Sequence, residues 1–352
     1  MKRKAFATLA VAMSLSCTTV MPLKVGMPVV VNAAETSSES VITNQETIKL
    51  VQSLLNCMGY DCGTPDGIAG NNTKNAIMEY QKLKGKNATG NVTTDLLADL
   101  YSDIELVVDY GTGTYSDVID TLYNNNDNCS SAAQQAANGA YRIADMLAII
   151  TKGVDKSKKY NSDIKNIQIN QMLNDSLCTS APQQEVNGLY RTVELLGIWA
   201  KELDTYSIYA SNIDDVLSSL DENNKSSSGA PQQAVNGAYR AVELLNIIAY
   251  LLDTNSTYSS YISNIITSCS DNNSTSTSAV QQEVNGLYTC VKLLDIIAIE
   301  LDSRGKYSTQ IDSVMDSFSD VNDSCSSAPQ QIANGSYRMT EMLAIIAAIY
   351  DL

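Results

Sequence analysis

Apolar residues in the first part of the chain recur at the spacing of a buried helix face. Between 47 and 58 they lie at i, i+3 and i+7, at positions Ile48, Val51, Leu54, Leu55 and Met58. After a glycine-rich turn, the pattern predicts a second helix over about 72–83 and a short third helix over 93–101. The sequence therefore predicts a small three-helix domain at 45–102, followed by a linker at 103–112.

A second pattern begins near residue 113 and repeats along the chain. The pair Gln-Gln starts at 134, 183, 232, 281 and 330, so every interval is 49 residues. Such self-similarity indicates a repeat architecture in which each unit buries its face against its neighbours. Each unit is predicted to contain a short helix, a polar loop and a longer helix, such as 182–203 in the second copy. We therefore predict an all-α chain, with the three-helix domain followed by an α-solenoid of five two-helix repeats over 113–352.

One glycine lies inside the longer helix of every copy, at 139, 188, 237, 286 and 335. Glycine inside a helix costs about 1 kcal/mol against alanine. Its return at the same position predicts a close crossing of neighbouring helices.

A polar stripe runs along each longer helix. In the second copy a helical wheel places four residues on it, namely Gln183, Asn187, Arg191 and Glu194. The last two form a favourable i, i+3 pair, and in the fourth copy both change together, to Thr289 and Lys292. Two interpretations remain. The stripe is either a hydrogen-bond ladder between repeats, which we favour, or part of a concave surface that binds glycan, peptide or protein through amides and the recurring tyrosines Tyr141, Tyr190, Tyr239, Tyr288 and Tyr337.

Composition and charge exclude several functions. The chain has no histidine and a net charge of −16. A nucleic-acid backbone is excluded as a partner because such proteins need a basic patch. Without imidazole there is no Ser-His-Asp or Cys-His nucleophile pair and no His-ligated zinc. We expect no cofactor and no metal.

The amino terminus has the features of an export signal. Lys2, Arg3 and Lys4 precede an apolar run, and Val31 and Ala33 occupy the −3 and −1 positions of a signal-peptidase site. We expect a signal peptide at 1–33, cleavage near Ala33 or Ala34, and a linker at 34–44. The mature protein is then secreted and has no stable membrane insertion.

The first domain carries a series of motifs that occur in order at characteristic spacing. They are Val51-Gln52 with Leu55, Met58-Gly59-Tyr60, Asp66-Gly67-Ile68-Ala69-Gly70, Thr73 with Ala76-Ile77, Tyr80-Gln81, Thr89-Gly90 and Val92. Over these residues the chain resembles the three-helix peptidoglycan-binding domain family found beside many cell-wall hydrolases. The resemblance implies peptidoglycan as a partner and the cell wall as the location. Zinc amidases and Cys-His peptidases, the catalytic domains usual beside this module, are excluded here by the missing histidine.

Candidate binding residues surround the glycine-rich turn. Asp66 can accept backbone N–H bonds while Gly67 and Gly70 take conformations closed to larger residues, so we expect these three mainly to shape the loop. A groove for sugar or stem peptide would lie near four aromatic and amide side chains. They are Tyr60, Asn71, Tyr80 and Gln81, and with Asp66 they form the candidate peptidoglycan site.

The thiols point to structure rather than catalysis. Cys57 and Cys62 stand five apart at a helix-to-turn corner, and in an exported protein such a pair is a disulfide candidate. Cys269 and Cys290 lie on the two helices of the fourth repeat and form a second candidate pair.

Two functions remain open. The leading hypothesis is a non-catalytic wall protein that binds peptidoglycan through its first domain and presents the repeats as a scaffold or as a surface for another protein or wall polymer. The alternative is a glycan-cleaving enzyme that works with carboxylates alone, such as Glu185, Glu194 or Glu243. We favour the first hypothesis, because counterparts of these acids recur along the array whereas catalytic residues usually occur once.

Overall fold

The computed structural model describes residues 41–111, 113–178, 180–226, 229–324 and 327–352. The predicted signal peptide and its cleavage site lie outside these residues. Within the described residues, every regular element is an α-helix. None of these helices combines the length and the apolar character that crossing a membrane requires.

The three-helix domain forms where the sequence predicts it. Its helices are α1 (Gln45–Cys57), α2 (Asn71–Leu83) and α3 (Thr94–Gly111). Asn44 caps α1, because its side chain accepts a hydrogen bond from the backbone N–H of Thr47 at 3.0 Å. The apolar stripe of α1 is buried against α2 and α3, in a core that contains Val51, Leu54, Leu55, Ile77 and Leu100.

The segment 103–112, predicted to be a linker, is instead occupied by α3 as far as Gly111. Ile104 and Val108 continue the i, i+4 spacing of Leu96 and Leu100, and both are buried in the core of the domain. Continued burial on one face is enough to extend the helix. The domain therefore passes into the repeats after only a short connection.

In the part of the chain that the structure describes, ten further helices form five hairpins, as the repeat predicts. The longer helices are α5 (Ala132–Val154), α7 (Ala181–Leu203), α9 (Ala230–Leu252), α11 (Ala279–Leu301) and α13 (Ala328–Ile349). The shorter helices are α4 (Tyr115–Asp127), α6 (Asn161–Leu177), α8 (Ala210–Ser226), α10 (Ser259–Thr275) and α12 (Ser308–Ser324).

The row of hairpins closes on itself. Each longer helix packs against the one before and the one after it, and α13 packs against α5. Each shorter helix lies outside, between two consecutive longer helices, and α4 completes the circle between α13 and α5. The solenoid is therefore a ring, with five inner and five outer helices. The 49-residue period predicted stacked hairpins but not closure, since closure depends on the angle between successive hairpins.

The recurring glycine makes the predicted close helix crossings, including the one that closes the ring. A Cβ at Gly188 would lie 2.7 Å from the backbone carbonyl carbon of Ala140, in the preceding inner helix. A Cβ at Gly139 would lie 2.5 Å from the Cβ of Ser336. Because Gly139 is in α5 and Ser336 is in α13, the closing contact has the same construction as the contacts within the array.

The three-helix domain is docked on the ring rather than held apart from it. Helices α1 and α3 pack against the outer helix α6. Ile169 and Leu173 of α6, each 4% exposed, belong to the hydrophobic core of the three-helix domain. The domain therefore completes its core with two side chains from the ring.

Candidate functional site

The carboxylate of Asp66 holds the glycine-rich turn in shape. Its Oδ1 accepts hydrogen bonds from Gln52 Nε2 at 2.9 Å and from the backbone N–H of Ile68 at 2.8 Å. Gln52 Oε1 in turn accepts from the backbone N–H of Gly67 at 2.9 Å. The bond from Gln52, followed by the one from Ile68, lowers the pKa of Asp66. A Cβ at Gly67, whose φ is +78°, would lie 2.6 Å from the carbonyl oxygen of Gln45, so this position requires glycine.

Tyr80 and Gln81 also serve the interior of the domain. Tyr80 is 1% exposed, and its hydroxyl donates to Asp103 Oδ2 at 2.8 Å. Gln81 donates from Nε2 to Thr89 Oγ1 at 3.2 Å and accepts at Oε1 from the backbone N–H of Gly90 at 3.0 Å. In this structure the two side chains are therefore engaged in packing and in loop geometry.

Tyr60 and Asn71 remain at the surface. The Tyr60 ring packs edge-to-face on Tyr80 with centroids 5.6 Å apart, and one side of it stays accessible. Burial, followed by the charge of Glu79, raises the pKa of its hydroxyl. Asn71 is exposed at the first position of α2. Between them in sequence, Ile68 is 63% exposed and presents an apolar side chain that the site prediction did not include.

No disulfide joins either predicted cysteine pair in the structure. Cys62 lies in the core of the domain, and burial raises the pKa of its thiol to about 12. Cys57 faces the ring instead, with its Sγ 3.6 Å from the carbonyl oxygen of Met172. Cys269 and Cys290 are both buried and close enough to interact electrostatically, but the structure holds them as separate thiols.

The polar stripe of the inner helices forms the predicted i, i+3 ion pairs. Arg191 bonds Glu194 at 3.0 Å, and Arg142 bonds Asp145 at 3.0 Å. Corresponding pairs form in the third and fifth copies, between Arg240 and Glu243 and between Arg338 and Glu341. In the fourth copy Thr289 bonds its own helix, through the carbonyl oxygen of Asn285 at 2.7 Å.

Amide hydrogen bonds connect the first repeat to the second and also cross the point of closure between the fifth repeat and the first. Gln134 Nε2 donates to Gln184 Oε1 of the second copy at 3.1 Å. Gln330 of the fifth copy donates in the same way to Gln135 of the first copy at 3.3 Å. Within the stripe of the second copy, Gln183 is partly exposed, whereas Asn187 is buried. These bonds support the ladder interpretation for the glutamines.

The recurring tyrosines are packing residues. Tyr141, Tyr190 and Tyr337 are buried, and the aromatic ring of Tyr190 covers Gly237 of the next repeat.

Grooves run along the outside of the helical ring between successive outer helices. The groove between α12 and α4 has a volume of about 630 Å³ and is lined by Tyr123, Arg338 and Glu341. The groove between α6 and α8 has a volume of about 300 Å³ and includes Glu194.

The carboxylates considered for catalysis do not meet in an open cleft. Glu194 and Glu243 are bound by arginines of their own helices. Glu185 is 7% exposed and lies inside the ring. No group of three or more acidic or cysteine side chains among the described residues is arranged to hold a metal ion.

These features define a class of all-α protein in which a three-helix domain is docked on a closed ring of helical hairpins. The comparison with protein families specifies the first part. Residues 44–100 match the family model described as "Putative peptidoglycan binding domain". The match confirms the resemblance predicted from the sequence motifs, and it ends before the ring begins. No solved structure matches this chain significantly.

Proposed function

We propose that this chain is a secreted, non-catalytic protein of the bacterial cell wall that binds peptidoglycan through its three-helix domain and carries the ring as a scaffold. The observation that carries the proposal is the family match of residues 44–100, which coincides with helices α1, α2 and most of α3, packed around one hydrophobic core. The export signal predicted from the sequence agrees with it, because peptidoglycan lies outside the bacterial membrane.

Within the domain, the proposed contact surface consists of Tyr60, Ile68 and Asn71. These side chains are accessible, whereas Asp66, Tyr80 and Gln81 make bonds that hold the fold. An aromatic ring, an amide and an apolar side chain offer the stacking and hydrogen bonding that a sugar or stem peptide needs. Tyr80 and Gln81, which are buried, and Asp66, which is exposed, then hold this surface in shape through their hydrogen bonds.

For the ring, we propose a scaffold whose outer grooves contact another protein or wall polymer. The grooves offer arginine–carboxylate pairs and the 45% exposed ring of Tyr123. The buried tyrosines argue against a concave aromatic surface. The polar stripe of Gln183, Asn187, Arg191 and Glu194 then belongs partly to the ladder and partly to the floor of a groove.

The alternative is glycan cleavage by carboxylates, and one observation favours it. Burial raises the pKa of Glu185 to about 7, within the range that general acids use. Its location inside the ring speaks against this role, since a glycan would have to reach a side chain enclosed by five helices. Incubation of the full chain with purified peptidoglycan tests it, and release of soluble muropeptides that the Glu185→Gln variant fails to produce would establish the enzyme.

The binding proposal is tested by co-sedimentation of the full chain with purified peptidoglycan. Full-length variants are preferable to a fragment ending at 102, because the domain takes Ile169 and Leu173 of α6 into its core. We expect Tyr60→Ala combined with Asn71→Ala to raise the apparent Kd for peptidoglycan about tenfold, which corresponds to roughly 1.4 kcal/mol. Tyr206→Ala is the matched control, since Tyr206 lies in the ring of hairpins, outside the three-helix domain, and is 86% exposed. Equal binding by both variants would contradict the proposal.

A further inference from the structure

Two glutamates meet on the axis of the ring. The fifth residue of each inner helix forms one layer, and all members of this layer are buried, namely Ala136, Glu185, Ala234, Glu283 and Ile332. Glu185 belongs to α7 and Glu283 to α11, which are separated around the ring by α9. Their carboxyl groups nevertheless lie within hydrogen-bonding reach of one another. Contact between helices that are not neighbours places this carboxyl pair across the axis.

The carboxyl pair has no counter-charge. Over the first ten residues of all five inner helices, from 132, 181, 230, 279 and 328, the only ionisable side chains besides the pair are the recurring tyrosines. Glutamines from every inner helix flank the layer, and they are neutral. Glu185 is 7% exposed and Glu283 is 2% exposed, and each keeps one carboxyl oxygen, Oε1, without a hydrogen-bond partner in the protein.

Two adjacent carboxylates cannot both ionise at this location without a large cost. Burial is the main cause, and it raises the pKa of Glu185 to about 7 and that of Glu283 well above its ordinary value. The five inner helices point their N-termini to this end of the ring, and their partial positive charges favour one negative charge near the axis. A carboxylic acid hydrogen-bonded to a carboxylate satisfies all of these conditions.

We propose that Glu185 and Glu283 share a proton at neutral pH and that this shared proton closes the axis of the ring at the N-terminal end of its inner helices. Loss of the proton leaves two negative charges facing each other in a buried layer. The ring is then tightest in acid and loosens as the pH rises.

The direction of the pH dependence follows from proton binding. In the unfolded chain the two glutamates release their protons near their ordinary pKa of 4.5. In the folded ring burial raises the pKa of Glu185 to about 7 and raises that of Glu283 well above its ordinary value, so the pair holds protons that the unfolded chain has released. The folded state binds more protons between these limits, so the stability that the pair contributes is present in acid and is lost as the pH rises.

The test compares melting temperatures of the full chain at about pH 5 and about pH 8. Glu185→Gln combined with Glu283→Gln keeps the shape of both side chains and removes the titration. We expect the melting temperature of the wild type to fall by roughly 5 to 10 °C more than that of the double variant over this interval. Glu222→Gln, at an exposed position of α8, is the control and should follow the wild type.

Infrared spectroscopy of the wild type gives a second readout that does not depend on the variant folding. A carbonyl band of a protonated carboxylic acid should be present at neutral pH and should disappear as the pH rises. Absence of this band at neutral pH would overturn the proposal, as would parallel melting profiles for the wild type and the double variant. Stabilisation of the wild type alone by added Ca²⁺ or Mg²⁺ at pH 8 would also overturn it, because the pair would then hold a cation instead of a proton.

Discussion

Helix α6 and its counterparts in the ring occupy equivalent positions but present different faces to the outside. Helices α6, α8, α10 and α12 all have 17 residues and pack between two inner helices. At the positions of Ile169 and Leu173, helix α8 has Ser218 and Glu222, both exposed. Helices α10 and α12 also carry exposed polar residues there, namely Thr267, Asp271, Asp316 and Asp320.

The inward face of α6 differs in the opposite sense. Gln168 and Gln171 are buried at positions where α8 has Leu217 and Leu220. Gln171 Nε2 donates to Asp145 Oδ1 of α5 at 3.0 Å. Compared with α8, helix α6 therefore has apolar side chains on its outward face and polar side chains on its inward face. Helix α6 therefore differs from the other outer helices at a few positions, and these differences make it the docking site of the three-helix domain while its place in the ring is the same.

The largest effect is expected from giving α6 the outward face of α8. Ile169→Ser combined with Leu173→Glu removes two buried aliphatic side chains from the domain core and introduces a charge, at a cost of about 4 kcal/mol or more. Amide hydrogen exchange in α1, α2 and α3 should accelerate strongly. Trp199, the single tryptophan and fully buried in the ring, should report an unchanged unfolding midpoint by fluorescence. Unaltered protection of α1–α3 would show that α6 does not support the domain.

A smaller effect is expected on the inward face. Gln171→Leu gives α6 the leucine that α8 has at this position but removes a hydrogen bond to the partly buried Asp145. We expect the free energy of unfolding to fall by about 1–2 kcal/mol. Burial raises the pKa of Asp145, whereas Arg142 and Gln171 lower it. The hydrogen bond from Gln171 favours the ionised form of Asp145. The loss of unfolding free energy in the variant should therefore be greater at neutral pH than in acid. Urea unfolding of the wild type and the variant at two pH values measures this difference in unfolding free energy. An equal difference at both pH values would contradict the explanation.

The smallest effect is expected from the reverse exchange on α8. Ser218→Ile combined with Glu222→Leu adds apolar side chains at exposed positions, so the free energy of unfolding should change by no more than about 0.5 kcal/mol. The new apolar patch should instead promote association. Size-exclusion chromatography at rising concentration detects it. A marked loss of stability would mean that the outward face of α8 already makes a contact the structure does not contain.

The sequence predicted the helices of the ring closely, because the 49-residue repeat and the apolar stripe define each hairpin locally. It also contained the signal for the docking helix. Ile169 and Leu173 stand out once the copies are aligned, because every other outer helix has polar residues at both positions. Closure of the ring was not predictable, since it arises from small angles that add up over five repeats.

The candidate binding site stays a prediction, and the structure shows which of its side chains are accessible and which are buried. The motifs around Asp66, Tyr80 and Gln81 carried the resemblance to the family, and in the structure these three side chains make hydrogen bonds that shape the domain. Tyr60 and Asn71 are accessible, and Ile68 was missed as a surface residue. The pairing of Glu185 with Glu283 required knowledge of the ring, because residues two repeats apart meet only when the helices surround a common axis.

The assignment of wall binding to the three-helix domain is tested most directly by hydrogen exchange of the full chain with and without soluble peptidoglycan fragments. The account predicts added protection in residues 60–71 and in the first turn of α2, with the outer grooves of the ring unchanged. Protection confined to the grooves around Arg338 and Glu341 or around Glu194, with residues 60–71 unaffected, would contradict it.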